Sequence, residues 1–413
     1  MKITQSRREF LKHSTAILAG SSSLLSTLAN AQATGEDYWQ MVRAQFSFKE
    51  SAVPMNAANL CPSFRAVSED VSRYTADIDQ DCSFNNRAKF GDLLEQSRSL
   101  VASQLKVSAD EVALVRNTSE ANNIVNNGLA LQAGDEVLLW DQNHPTNNVA
   151  WDARAARFGI SVKRVSTPIK PDSQQSLIDS FTASFSDRTR VLSITHVSNV
   201  SGQKLPVAEL VNAAHQRGIY VHLDGAQSWG AQDLNLNELG VDSYSASAHK
   251  WYMGPKEVGL LYVKGDNIDR IWASTIAPGW GNDAETDLIG ARKFESLGQR
   301  DDAALAALGV AAQIHNEIGP QRIEQRIRYL AQRLKDGIAE AGLELLTPHA
   351  PELSHGVCIT RAEPGTGGTI SNRLYTEFGI AGAATGGVRL CPTIYNTAAH
   401  VDRAVEGLTT IMT

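Results

Sequence analysis

The sequence predicts an α/β protein with a mainly parallel sheet flanked by helices, followed by a smaller C-terminal α+β part. Two observations predict it. Apolar runs of strand length recur between residues 112 and 263, each bounded by polar or glycine-containing turns. Between them lie amphipathic stretches of helical period, and such alternation buries a parallel sheet on both faces. The runs fall at Val112–Val115, 137–140, 162–165, 191–197, 219–223 and 258–263, with helices expected at 119–131, 147–158 and 206–217. Ligands of such a sheet gather at the carboxyl ends of its strands.

After about residue 290 the pattern changes. Long helices are expected at Asp302–Ile318 and 321–341, then short strands and a closing helix at Ala398–Met412. The expected division is a large domain at 56–290 and a small domain formed by 34–55 with 291–413. Glycine-rich stretches at 366–370 and 379–387 read as loops.

Residues 1–33 read as a targeting segment and are set apart from the fold. Ser6-Arg7-Arg8-Glu9-Phe10-Leu11-Lys12 matches the twin-arginine export signal at every defined position, and a short, Ser-rich apolar stretch with Ala-rich cleavage sites follows. That stretch is too short and polar for a permanent membrane span. The expectation is a chain handed folded to the twin-arginine export machinery and working in the periplasm. The 413 residues carry a net charge of −7, and the leader holds a surplus of cations, so the remainder is more acidic still. This excludes nucleic acid as the natural partner. Cys61, Cys82, Cys358 and Cys391 are too few and scattered for a disulfide framework; free thiols are expected, with room for one disulfide.

Two strand ends carry the chemistry. The run 219–223 leads into Asp224-Gly225-Ala226-Gln227, and a second short run ends in Ser247-Ala248-His249-Lys250. One carboxylate and one amine, each at the end of its own strand, suit pyridoxal 5'-phosphate (PLP). Asp224 would keep the pyridine nitrogen protonated, and Lys250 would form the Schiff base and later move protons. Alone, such an Asp is a cap and such a Lys a surface charge; their pairing beside His249 and Ser247 argues for a site. Arg116-Asn117-Thr118-Ser119-Glu120 follows a strand and opens a helix, so Thr118 and Ser119 offer hydroxyls at an amide-rich phosphate site. Ser247 and His249 would add contacts. His144 follows another strand, where an imidazole can stack on the ring and shuttle protons. Asn199 and Gln227 could each hydrogen-bond the ring hydroxyl. A metal reading of His144, His196, His222 and Asp224 has no helical H-E-x-x-H pair behind it, so no metal is expected.

These segments, with Gly254-Pro255 and Gly259 beyond them, resemble the class V aminotransferases from roughly residue 55 to the end. These are fold-type I PLP enzymes that include cysteine desulfurases and isopenicillin N epimerases. The resemblance implies Lys250 as Schiff-base lysine, Asp224 as ring-nitrogen partner and His144 as stacking imidazole. It places Asn199 and Gln227 at the ring oxygen, and Thr118, Ser119, Ser247 and His249 at the phosphate. Arg389, ahead of Tyr395-Asn396-Thr397, would clamp a substrate carboxylate, a task that suits a planar guanidinium fork. A homodimer is also implied.

Two departures narrow the branch. Cysteine desulfurases carry a nucleophilic cysteine before that arginine, whereas this chain reads Gly382-Ala383-Ala384-Thr385-Gly386-Gly387-Val388. Phe294-Glu295-Ser296-Leu297-Gly298-Gln299-Arg300-Asp301 resembles the epimerase-like branch, with Gln299 replacing a Thr. The expected reaction is of aminotransferase or epimerase type, on an α-amino acid or an amino-acid moiety of a peptide or siderophore. A PLP-dependent β-lyase (C–S lyase) is the alternative. A non-catalytic PLP-fold binding protein would be favoured by loss of the lysine or carboxylate, and both are present.

Overall fold

The structure, a computed structural model, describes residues 35–276 and 289–413. The twin-arginine segment expected at 1–33 lies outside the described residues.

Seven strands form the main sheet: β1 (Val112–Val115), β2 (Glu136–Trp140), β3 (Ser161–Val165), β4 (Thr189–Thr195), β5 (Tyr220–Asp224), β6 (Ser243–Ser247) and β7 (Gly259–Val263). Their spatial order is β1-β7-β6-β5-β4-β2-β3. Only β7 runs against its neighbours, pairing antiparallel with both β1 and β6. Every residue of β2, β5, β6 and β7 is buried, whereas edge strand β3 exposes Lys163 and Arg164. This matches the run of apolar residues that a sheet covered on both sides requires.

Alternation along the strands sorts side chains into two cores. Leu114, Leu138, Trp140, Leu192, Ile194, Leu260 and Tyr262 join one apolar cluster. Their neighbours Ala113, Val115, Val137, Leu139, Val191, Leu261 and Val263 join the other. Helix Thr118–Gly128 packs on the second cluster through Ala121, Ile124 and Val125, and Val207–His215 packs on the first through Leu210, Val211 and Ala214. Helix Pro145–Phe158 follows β2, with His144 as its N-cap and proline in its first turn.

Helix Asp302–Ile318 packs against Lys89–Leu105 and Arg65–Gln80, and Pro320–Glu340 against Ala398–Met412. Two short sheets accompany them: Val53–Pro54 with Ile380–Ala381, and Cys358–Thr360 with Val388–Leu390. A third cluster, including Val53, Leu330, Leu334, Leu390, Val401 and Leu408, fills the space between them. The stretch 366–370 departs from the loop expected of it. Gly367–Phe378 is a helix capped by Gly379 at φ 67°, and its glycines lie in the first turn, where packing of the later residues carries the helix.

Among the described residues no helix is long and apolar enough to cross a membrane. All four cysteines are free: Cys82 is exposed, the other three buried.

Candidate active site

The sheet's carboxyl edge collects the expected residues. β5 ends on Asp224, which is 1% exposed. The Ala226 backbone N–H donates to its Oδ1 at 3.0 Å, and Asn122 Nδ2 donates to its Oδ2 at 2.9 Å. Gly225 follows because the Tyr244 ring presses on it; a Cβ there would lie 1.9 Å from that ring.

β6 ends on Ser247, three residues before Lys250. Ser247 Oγ accepts from Thr118 N at 2.8 Å and lies 2.6 Å from Thr118 Oγ1. The helix start is thus tied to the loop that carries the lysine. Gly259 permits the approach, since a Cβ there would sit 2.5 Å from Ala246 O and 2.8 Å from Asn117 Cα. Asn117 caps the helix by accepting from Glu120 N at 3.0 Å.

Three further charged or titratable groups share one field. Burial pushes the Lys250 amine down; Asp224 opposes this, and the Arg389 cation adds to it. A lowered amine is more often neutral, hence nucleophilic. His144 is also lowered, by burial first and then by Lys250 and Arg389 against Asp224. Its Nδ1 accepts from Thr146 N at 3.3 Å, so neutral His144 carries its proton on Nε2. Burial, with Lys250 and Lys256, brings His249 down to about 4.

Arg389 arrives from strand Val388–Leu390 and is 5% exposed. Its Nη1 donates to Asn199 O at 3.0 Å and its Nη2 to Asn56 Oδ1 at 3.1 Å. Among the described residues, Arg389 Nε and Asn199 Oδ1 are buried without a hydrogen-bond partner. Buried polar atoms demand partners, so these two atoms are open to a polar ligand.

The structure therefore brings Asp224, Lys250, His144 and Arg389 into mutual electrostatic reach, and joins Thr118 to Ser247. Asn199 touches the group through its backbone carbonyl. Gln227 is engaged elsewhere: its Nε2 donates to Ala58 O at 3.0 Å, and its Oε1 accepts from Trp251 Nε1 at 2.7 Å. Ser119 is exposed at the helix start. Gln299 accepts from Arg87 Nη2 at 2.9 Å and donates to Arg300 O at 2.8 Å.

Sequence reasoning missed Asn122, Asn56 and Asn143. Asn122 lies one helical turn beyond Thr118, a spacing that signals a shared face. Asn143 Nδ2 donates to Ser193 O at 2.9 Å, and its Oδ1 accepts from Thr195 N at 2.8 Å. It thereby pins the turn before His144 to β4. Nothing local marks Asn56.

The residues present fit PLP. They provide an amine of lowered basicity, a buried carboxylate, an amide-rich helix start with two hydroxyls, and unpaired polar atoms beside a guanidinium. The profile of the family described as Aminotransferase class-V matches residues 62–403. Isopenicillin N epimerase of Streptomyces clavuligerus is 29% identical over 387 residues, covering 90% of this chain and 97% of that protein. A cysteine desulfurase of Escherichia coli (strain K12 / DH10B) is 30% identical over 327 residues, covering 73% of this chain and 78% of that protein. Among solved structures, a mutant of C-DES with glycine covalently linked to its PLP cofactor has a TM-score of 0.80 at 24% identity. That match covers 89% of this chain and 98% of C-DES, and shows a shared fold.

Proposed function

The chain belongs to the class-V aminotransferase family, whose enzymes use PLP, and on that premise we propose that it acts on the α-amino group of an amino acid. The substrate is free or a moiety of a peptide or siderophore, and the reaction is of aminotransferase or epimerase type. The chain is related to both isopenicillin N epimerase and cysteine desulfurase. When bound, PLP supplies an aldehyde for amine capture and a ring that withdraws electrons from the bonds at the substrate's α-carbon.

Lys250 would hold the cofactor through its amine and, when that amine is free, would take or return a proton at the substrate's α-carbon. Asp224 holds the proton on the ring nitrogen. Thr118, Ser119, Ser247 and His249 would receive the phosphate and Asn199 the ring oxygen, and Gln227 would join Asn199 only by giving up its bonds to Ala58 and Trp251. His144, uncharged near neutrality, would face the ring and exchange protons there. Arg389 clamps the substrate carboxylate, with its unpaired Nε completing the fork.

The observation that carries this reading is that Lys250 beyond the end of β6, Asp224 at the end of β5 and Arg389 on the short sheet lie close enough for the carboxylate and the guanidinium both to act on the amine's charge. A persulfide route is not our reading. The loop before Arg389 has no thiol, and Cys391 behind it is buried with its thiol raised by burial. In this reading the protein is exported folded to the periplasm, works as a homodimer, and divides into the large and small domains given above. The twin-arginine run supports the location, and the separate apolar cluster around Leu334 and Leu408 supports the division.

The test is covalent. Protein supplied with PLP will be yellow, and borohydride will fix the cofactor on the peptide containing Lys250, as read by mass spectrometry. Lys250→Ala will carry none. Colourless wild-type protein without the adduct would overturn the reading. Product analysis on a panel of amino acids and glutamyl peptides then separates amine loss from inversion at the α-carbon.

A further inference from the structure

Behind Asp224 lies a chain of buried polar side chains with no part in the chemistry above. Asn122 Nδ2 donates to Asp224 Oδ2 at 2.9 Å. Asn122 Oδ1 accepts from Ser245 Oγ and lies 2.9 Å from His222 Nε2. His222 Nδ1 lies 2.7 Å from Ser243 Oγ. All five residues are buried; His222, Ser243 and Ser245 are 0% exposed and Asn122 2%.

An ionised carboxylate only accepts, so Asn122 must offer it the amide NH2 and turn its oxygen away. That oxygen also only accepts, so His222 must carry its hydrogen on Nε2. His222 Nδ1 is then bare and takes the Ser243 hydroxyl hydrogen. One acceptor at the end of the chain thus fixes every hydrogen along it. Burial holds His222 down at about 4, so at neutral pH it is uncharged and confined to this single tautomer.

We propose that Asn122 is a positioning residue: backed by His222, Ser243 and Ser245, it locks the Asp224 carboxylate in the one plane that serves the cofactor ring. The inference rests on the functional reading of Asp224 given above. A carboxylate torsion is broad and two-fold. The Ala226 N–H pins Oδ1 alone, leaving rotation about that bond; the charge-assisted bond from Asn122 pins Oδ2 and removes it.

The experiment has two arms. In wild-type apoprotein with 15N-labelled histidines, His222 will show a protonated Nε2 and a bare Nδ1 at neutral pH, assigned by the signal lost in His222→Gln. The opposite tautomer overturns the inference, because Asn122 would then present its oxygen to Asp224. In holoprotein, Asn122→Leu will keep the cofactor on Lys250 but lower kcat roughly 10- to 100-fold, the scale of one lost bond to a charged group. KM will stay within about a factor of two, since Arg389 is untouched, and the pH dependence of the visible band will shift. Wild-type kcat and wild-type band in Asn122→Leu overturn the inference. Failure of the wild-type chain to take up PLP would overturn the functional reading instead, and the tautomer arm, which needs neither cofactor nor Asn122 variant, would still decide the hydrogen-bond chain.

Discussion

At the scale of single residues, the site is a balance of charges set by depth. Lys250 loses basicity mainly through burial, with Arg389 pushing the same way and Asp224 the other. Two substitutions should therefore move the amine in opposite directions. Arg389→Leu removes a neighbouring cation, so the Lys250 pKa rises and aldehyde capture by the apoprotein needs a higher pH. Asp224→Asn removes an anion, so capture extends to lower pH. Reductive labelling of Lys250 by a small aldehyde across a pH series checks both signs. Equal midpoints in the two variants would contradict the shared field. Asp224 and Lys250 were legible because each closes an apolar run with glycine or small residues nearby. Asn122 and Asn56 were not, because an asparagine in a polar stretch looks the same whether it faces water or a buried carboxylate.

At the scale of elements, what matters is how closely the start of helix Thr118–Gly128 meets β7. Gly259 is the contact point, and a methyl there would strike the backbone of both Ala246 and Asn117. Gly259→Ala should cost about 1–3 kcal/mol of stability by overpacking and loosen cofactor retention by shifting Thr118. Thermal unfolding and dialysis of the holoprotein measure the two effects. Gly91, on an exposed helical face with open space around it, is the control. Gly91→Ala should stabilise by roughly 0.5–1 kcal/mol through helix propensity. An equal loss from both would show that packing at Gly259 is not the cause. Element boundaries moved little from those expected. β4 ends at Thr195 rather than 197, because after the last ladder bond, from His196 N–H to Asp224 O, the chain pairs with its own return, Leu205 N–H donating to His196 O and Ser198 N–H to Gln203 O. The stretch 366–370 misled because glycine marks a loop locally, whereas burial of Leu374 and the Gly379 cap decide for a helix.

At the scale of the whole molecule, buried histidines set the response to acid. His222, His315 and His355 lie at about 4 and His196 at about 3, all through burial. Unfolded, each would take a proton near its ordinary value of about 6.5. Between those limits the unfolded chain binds more protons than the native one, so stability is complete above pH 6.5 and is lost as pH falls toward 4. The slope is on the order of 1.4 kcal/mol per pH unit for each histidine. Denaturant unfolding at a series of pH values measures it, and a flat profile between pH 6.5 and 5 would show that these side chains are hydrated in the native state.

By itself the sequence determined the α/β class, the strand runs of the main sheet, the helix starts at its carboxyl edge and the two strand-end motifs. Each is written in a few adjacent residues, through hydrophobic period and turn chemistry. Only the tertiary structure decided which distant groups meet those motifs. Asn122 reaches Asp224 from another element, Arg389 reaches Asn56 across most of the chain, and Asn143 anchors the His144 turn to β4. Burial creates those contacts: a polar atom removed from water must find its partner wherever packing brings one, and no local pattern records where that is.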